Sequence, residues 1–225
     1  MYDNAKSGAT PFSRELIAKA RALLADHAPS LRTQHDGWKV GSFQLDVYAP
    51  GIGGSVRQGD ELHAGFSLAH DPAGRTHAAA RLYRVVCENG AIVPVAMSEQ
   101  AEFDSEVPSF DWEQQLAYAV AASFDPERLN EHIDRLQHAA RKPVAELSSI
   151  LGMLQARRQI TMTERVYIEH LYEEESDPTL YGVMNAVTAA AHMLRAMDQW
   201  DRAAAIERIG GEIGLGSQAL EPQLV

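Results

Sequence analysis

The chain has 225 residues, 45% of them hydrophobic, enough to bury one sizeable core or one core with a smaller helical appendage. Its formal net charge of −11 argues against a wholly electrostatic binder of nucleic acid, because phosphate binding draws on clustered Lys and Arg. The charge is uneven: residues 1–108 carry 10 basic and 13 acidic side chains, and residues 109–225 carry 10 and 18, so a basic stripe on the first half is compatible with an anionic total.

Residues 10–27 predict an amphipathic helix. Thr10 is suited to the N-cap and Pro11 to the first helical position, where a missing N–H costs nothing. Phe12, Leu16, Ala20, Leu23 and Leu24 fall on one face, and Pro29 stops the helix. Residues 37–98 read as β. Trp38, Val40, Phe43, Leu45 and Val47 alternate, with Gly41-Ser42 as a bulge or bend. Pro50-Gly51-Ile52-Gly53-Gly54 reads as a flexible connection. A strand from about Leu62 to His70 follows, then a type I turn at Asp71-Pro72-Ala73-Gly74. The chain returns from Thr76 to Cys87, turns at Asn89-Gly90 and leaves through Ile92 to Met97.

Residues 99–113 hold several carboxylates and no basic residue, which predicts a solvated linker. Beyond it the period is helical. Trp112 to Phe124 suits one helix, although Tyr118 to Phe124 also fits a strand. Asp125-Pro126 caps the next helix, with Leu129, Ile133, Leu136 and Ala140 inward, and Pro143 kinks or splits it. Leu147, Leu151 and Leu154 continue an apolar face. Thr161-x-x-Glu164 is a capping box opening a helix to about Glu174. A last long helix starts near Tyr181, runs on toward Ile209 and ends at Gly210-Gly211, and the tail from Gln218 frays.

The fold class expected is α+β: an N-terminal helix, an antiparallel β-meander of about four strands, then a mostly helical C-terminal half packed on the sheet. Its two parts, 1–108 and 109–225, belong to one fold. An exposed sheet edge needs cover, which makes a homo-oligomer the expected state. No apolar run approaches the roughly 18–20 residues that span a bilayer, and the first fifteen residues or so lack the apolar core of a secretory signal. A cytoplasmic location with no membrane partner is therefore expected.

His63, His70 and His77 could meet across a hairpin and bind a metal, but no carboxylate or thiol stands at ligand spacing. They read instead as a polar edge of half-exposed rings, and no cofactor is expected. The single cysteine, Cys87, excludes an internal disulfide and reads as a buried strand residue, since Arg84, three positions away, projects to the other face. Glu173-Glu174-Glu175 with Asp177 lacks the pattern of a calcium loop and reads as a solvated helix end. That acidic run is opposed by the negative end of its own helix, which points to fraying or to a partner there. No Gly-rich phosphate loop, nucleophile elbow or zinc-protease motif is present, so enzymatic function has no positive support.

Basic residues divide between the two halves. Lys39, Arg57, Arg81 and Arg84 lie on strands or turns, and Arg141, Lys142, Arg157 and Arg158 lie on the helices. With Tyr83 and Trp38 to stack on bases, they form a candidate interface for single-stranded nucleic acid. The competing reading is scattered surface charge paired with the many carboxylates.

Three segments carry a resemblance. They are Gly59-Asp60-Glu61-Leu62-His63-Ala64-Gly65-Phe66, then Arg81-Leu82-Tyr83-Arg84-Val85-Val86-Cys87-Glu88-Asn89-Gly90, then Tyr181-Gly182-Val183-Met184-Asn185-Ala186-Val187-Thr188. Together they resemble the phage/plasmid-like family of unknown function (domain of unknown function nine-three-two), over roughly residues 35–213. The chain is short for that family, and His70-Asp71 stands where an Asn-Ser pair is commoner. The resemblance implies mobile-element biology and supplies no catalytic residue. The order of helix, meander and long helix is also similar to that of phage single-strand annealing proteins of the Red-beta type. That similarity implies a positively charged groove, rings or filaments, and DNA recombination without ATP or metal. The leading expectation is thus an oligomeric single-stranded DNA binding or annealing protein. The alternatives are a non-enzymatic interaction protein modulating host factors, its acidic helical half facing a basic partner, and more remotely a metal hydrolase.

Overall fold

Thr10 opens the first helix: its hydroxyl accepts the Ser13 backbone N–H at 3.1 Å, and α1 runs Pro11–His27 from that cap. The computed structural model describes residues 10–27, 30–39, 42–70, 75–85, 92–104, 111–197 and 199–216. Five strands follow α1: β1 Arg32–Lys39, β2 Ser42–Arg57, β3 Asp60–His70, β4 Arg75–Val85 and β5 Ile92–Asp104. They form one antiparallel sheet in the order β1-β2-β3-β4-β5. The rest is helical: α2 Trp112–Ser123, α3 Pro126–Ala139, α4 Leu147–Ala156, α5 Met162–Glu175, α6 Leu180–Ala196 and α7 Trp200–Gly214. The α+β class holds, with an N-terminal helix, a sheet and a mostly helical C-terminal half.

The strands correct the sequence reading in three places. Residues expected to form one bent strand are two: Lys39 pairs with Ser42 and Trp38 with Phe43, so the chain reverses there and adds a fifth strand. Residues 50–54 are no loose connection but part of β2. Gly53 belongs there because a Cβ at that position would stand 2.2 Å from the Leu62 carbonyl oxygen on β3. The reversal falls instead at Gln58-Gly59, where Gly59 takes a φ of +80°. Residues 99–104 belong to β5, and Phe103 is buried, so the acidic linker begins later than composition alone suggests. The turns at 71–74 and 89–90, Cys87 and the tail from Gln218 lie outside the described residues.

The chain forms two compact units. One comprises Met1–Gly54, Leu62–Tyr83 and Met97–Leu129; the other comprises Ser55–Glu61, Arg84–Ala96 and Asn130–Val225. The units cut across the division at 108, because α2 associates with α1. Phe12 meets Trp112 edge to face at 5.2 Å, and Lys19 pairs with Glu113. The first unit buries Leu16, Ala20, Phe43, Leu45, Val47, Leu62, Phe66, Leu116 and Val120.

In the second unit α6 is the central helix. Every residue from Leu180 to Thr188 is buried, as expected of a helix that packs on all sides. Thr179 caps it, and Pro143 splits the helical run, lying between α3 and α4 and bridging to Thr179. The α5 capping box is formed in both directions: Glu164 N–H donates to Thr161 Oγ1 at 3.2 Å, and Thr161 N–H donates to Glu164 Oε2 at 2.6 Å. The expected last helix is two, broken at 197–199, with α7 folding back on α6. Gly210-Gly211 does not end α7. A Cβ at Gly210 would stand 2.9 Å from Thr188 Oγ1, so this glycine permits a close helix crossing. Arg195 and the buried Glu207 pair across that crossing at 2.6 Å. Among the described residues no helix is long and apolar enough to cross a membrane.

Candidate nucleic-acid interface

The structure sorts the basic residues into three groups. Arg57, at the end of β2, and Arg84, near the end of β4, are held by carboxylates. Arg84 Nε donates to Asp60 Oδ1 at 2.8 Å, and its Nη1 donates to Glu175 Oε1 at 3.0 Å. Arg57 Nη2 donates to Asp177 Oδ2 at 2.7 Å, and its Nε lies 3.6 Å from Asp60 Oδ2. Both guanidinium groups lie over the ring of the fully buried Tyr181, at 5.4 Å for Arg57 and 5.9 Å for Arg84.

Local structure explains this cluster. The reversal at Gln58-Gly59 sets Asp60 at the start of β3, and Thr179 fixes Asp177 by donating from its hydroxyl at 2.8 Å. Gly182 allows the approach, since a Cβ there would stand 2.1 Å from the Asp177 carbonyl oxygen. Asn185 on α6 steadies Glu175 at 3.1 Å. Burial works against the charged form of Arg84, but Tyr181, Asp60 and Glu175 outweigh it and keep the guanidinium charged. Burial, with the Asp60 charge behind it, pushes the Tyr181 hydroxyl far up, so it stays neutral. Two arginines face three carboxylates, a formal excess of negative charge, so the cluster cannot attract a phosphate. Glu173-Glu174-Glu175 with Asp177 is therefore only in part a solvated helix end, because Glu175 and Asp177 are engaged here.

The second group is buried. Arg81 is 6% exposed and Tyr83 1% exposed. Tyr83 donates its hydroxyl to Asp46 Oδ1 at 3.1 Å, and Gly65 leaves room for its ring. A base cannot stack on a ring with no open face, so Tyr83 is corrected to a core residue. His70 is buried too, with Nδ1 2.8 Å from Thr76 Oγ1, which replaces the expected half-exposed histidine edge at that position. Among the described residues no group of three or more His, Cys, Asp or Glu is placed to hold a metal.

The third group is accessible. Arg141 is exposed and Lys142 half-buried just beyond α3, while Arg157 and Arg158 are exposed just beyond α4. Among the described residues no carboxylate pairs with Arg141, Lys142 or Arg158. Arg158 stands in the left-handed region at φ 59°, the position after a helix C-cap that glycine normally takes. The side chains of Lys39 and Trp38 lie outside the described residues. Compared with family models, with curated proteins and with solved structures, the chain gives no match.

Proposed function

We propose that the chain is a non-enzymatic, single-stranded nucleic-acid binding protein of the annealing kind, serving recombination in the cytoplasm of a cell that carries a mobile element. Its phosphate contacts are Arg141 and Lys142 after α3 and Arg157 and Arg158 after α4. The observation that carries this reading is Arg158, an exposed arginine kept in a left-handed conformation that costs a non-glycine residue roughly 1–2 kcal/mol. Strain retained at an exposed cation favours a binding role there. The mobile-element setting rests on the three sequence segments alone.

Salt titration tests the reading. A single strand releases counterions with a slope of roughly −0.7 per phosphate contact, so four contacts give about −2.8 and eight would give about −5.6. Labelled oligothymidylate that stays free at low salt with micromolar protein would overturn it. The second reading, a protein-interaction module, is favoured by Met162 and Val166, large apolar side chains 59% and 53% exposed in the acidic helical half. A stoichiometric partner protein that survives nuclease treatment is its test.

A further inference from the structure

An open cavity of about 410 Å³ lies between the C-terminal half of α1 and the strand pair β1–β2. Its volume falls in the range of small-molecule sites, roughly 300–1,000 Å³. The floor is apolar. Leu24 comes from α1, and Leu45 and Val47, two apart on β2, come from one face of the sheet. All three are buried. The charges stand at the rim, where Arg21 on α1 pairs with Asp36 on β1, their side chains 51% and 37% exposed.

A bulge places Asp36 there. Thr33 and Asp36 are three residues apart on β1, and in a regular strand that odd spacing sends two side chains to opposite faces. The register of β1 on β2 shifts between Thr33 and His35, so that Thr33 pairs with Val47 and Asp36 with Leu45. Thr33 and Asp36 therefore share the face of Leu45 and Val47, and both line the cavity. Bulges are over-represented beside functional sites, where the extra residue re-aims a side chain. Arg21 is steadied as well, since its guanidinium lies over the buried Phe43 ring at 5.7 Å.

Arg21 and Asp36 decide the ligand. Their bond runs from Nη2 to Oδ1, which engages one of the five guanidinium N–H donors and one of the two carboxylate oxygens. An anion added at Arg21 stands beside Asp36, and a cation added at Asp36 stands beside Arg21, so either one alone meets repulsion as well as attraction. A ligand that carries both charges on one carbon meets each residue with the opposite sign, and its apolar part reaches the floor. We propose that this cavity binds a free α-amino acid with a large apolar side chain. Arg21 takes the carboxylate, Asp36 takes the ammonium, and Leu24, Leu45 and Val47 receive the side chain. A peptide holds its terminal charges far apart and answers only one of the two residues.

The site does not rest on the nucleic-acid reading, because none of its residues belongs to the accessible basic group.

Titration of the isotope-labelled full chain with L-phenylalanine, followed by amide NMR shifts without nucleic acid, is the test. Saturable shifts at Leu24, Thr33 and Asp36 are expected, with a Kd on the order of 1 mM, the range open to a ligand of that size. Phenylpropionate lacks the ammonium and phenethylamine lacks the carboxylate. Each is expected to bind about tenfold more weakly or worse, the loss of one charge-assisted hydrogen bond. Asp36→Asn is expected to weaken L-phenylalanine by a similar factor and phenylpropionate not at all. Arg21→Gln is expected to weaken L-phenylalanine and leave phenethylamine no weaker. Both positions belong to an exposed ion pair, which contributes little to stability, so both variants keep the fold. The proposal is overturned by the absence of saturable shifts, by shifts confined to other amides, or by an unchanged L-phenylalanine affinity in either variant. It is equally overturned if phenylpropionate, phenethylamine or the uncharged N-acetyl-L-phenylalaninamide binds as tightly as L-phenylalanine. Oligothymidylate binding is a separate titration on the same preparation, so failure of one reading is distinguishable from failure of the other.

Discussion

Arg84 lies 2.8 Å from Asp60, a carboxylate with only 5% of its side chain exposed, and this pair removes the arginine from any role on the surface. Asp60 lies within a network of Arg57, Arg84, Glu175 and Asp177 over Tyr181, so the network pins the start of β3 to the α5–α6 junction. Deleting one member of a buried pair is costlier than the pair is worth, because the partner's charge stays behind without solvent.

Arg84→Ala is expected to cost about 3 kcal/mol, the low end for a broken buried pair, since Arg57 still faces Asp60. Urea denaturation measures it. A midpoint equal to that of the unmodified chain would show that solvent already screens Asp60.

Gly65→Ala is expected to destabilise by about 2 kcal/mol or more. The new Cβ would stand 2.4 Å from Tyr83 Cε2 and 2.4 Å from the Val47 carbonyl oxygen, and a backbone oxygen inside a sheet cannot move aside. Gly51→Ala, with nothing within 4 Å, is the matched control and stays within about 1 kcal/mol. Thermal melts that rank the two variants equally would contradict the packing described for Tyr83.

Acid sensitivity is predicted at the α5 cap. Burial raises the Glu164 carboxyl, but hydrogen bonds from Arg202, at 2.6 Å, and from the Thr161 backbone outweigh it and hold the group below the ordinary value of 4.5. A folded-state value lower than the unfolded one contributes stability that is present above 4.5 and is lost as pH falls through the folded value. Glu164→Gln should therefore be less stable at neutral pH and flatter in its stability profile below 4.5. Parallel profiles for the two proteins would remove Glu164 from the acid transition.

Arg158→Gly separates binding from stability. Glycine relieves the left-handed strain and is expected to raise stability by about 1 kcal/mol. The same change removes a phosphate contact, so affinity for oligothymidylate falls and the salt slope loses about 0.7. Unfolding and binding titrations on one preparation check both; a variant that gains stability at full affinity excludes Arg158 from the interface.

Local chemistry was legible along the chain. Thr10 with Pro11, Asp125 with Pro126, and Thr161 with Glu164 mark helix starts because a cap is settled by residues two or three apart, and each of these helices begins where its cap stands. Glycines misled, because the same residue serves a turn, a strand crossing or a helix crossing. Gly59 is the first, Gly53 the second and Gly210 the third, and only the neighbour facing the missing Cβ tells them apart.

The sequence by itself determined the class: one helix, alternating strands, then helices, since period and caps are local properties of the chain. Which arginines remain accessible was decided only by the tertiary structure. Arg84 and Arg158 look alike in the sequence, yet Arg84 meets Asp60 and Glu175 from 24 and 91 residues away, while Arg158 meets no carboxylate among the described residues. A charge is neutralised by whatever lies within a few ångströms of it in space, and that distance is fixed by folding rather than by position along the chain.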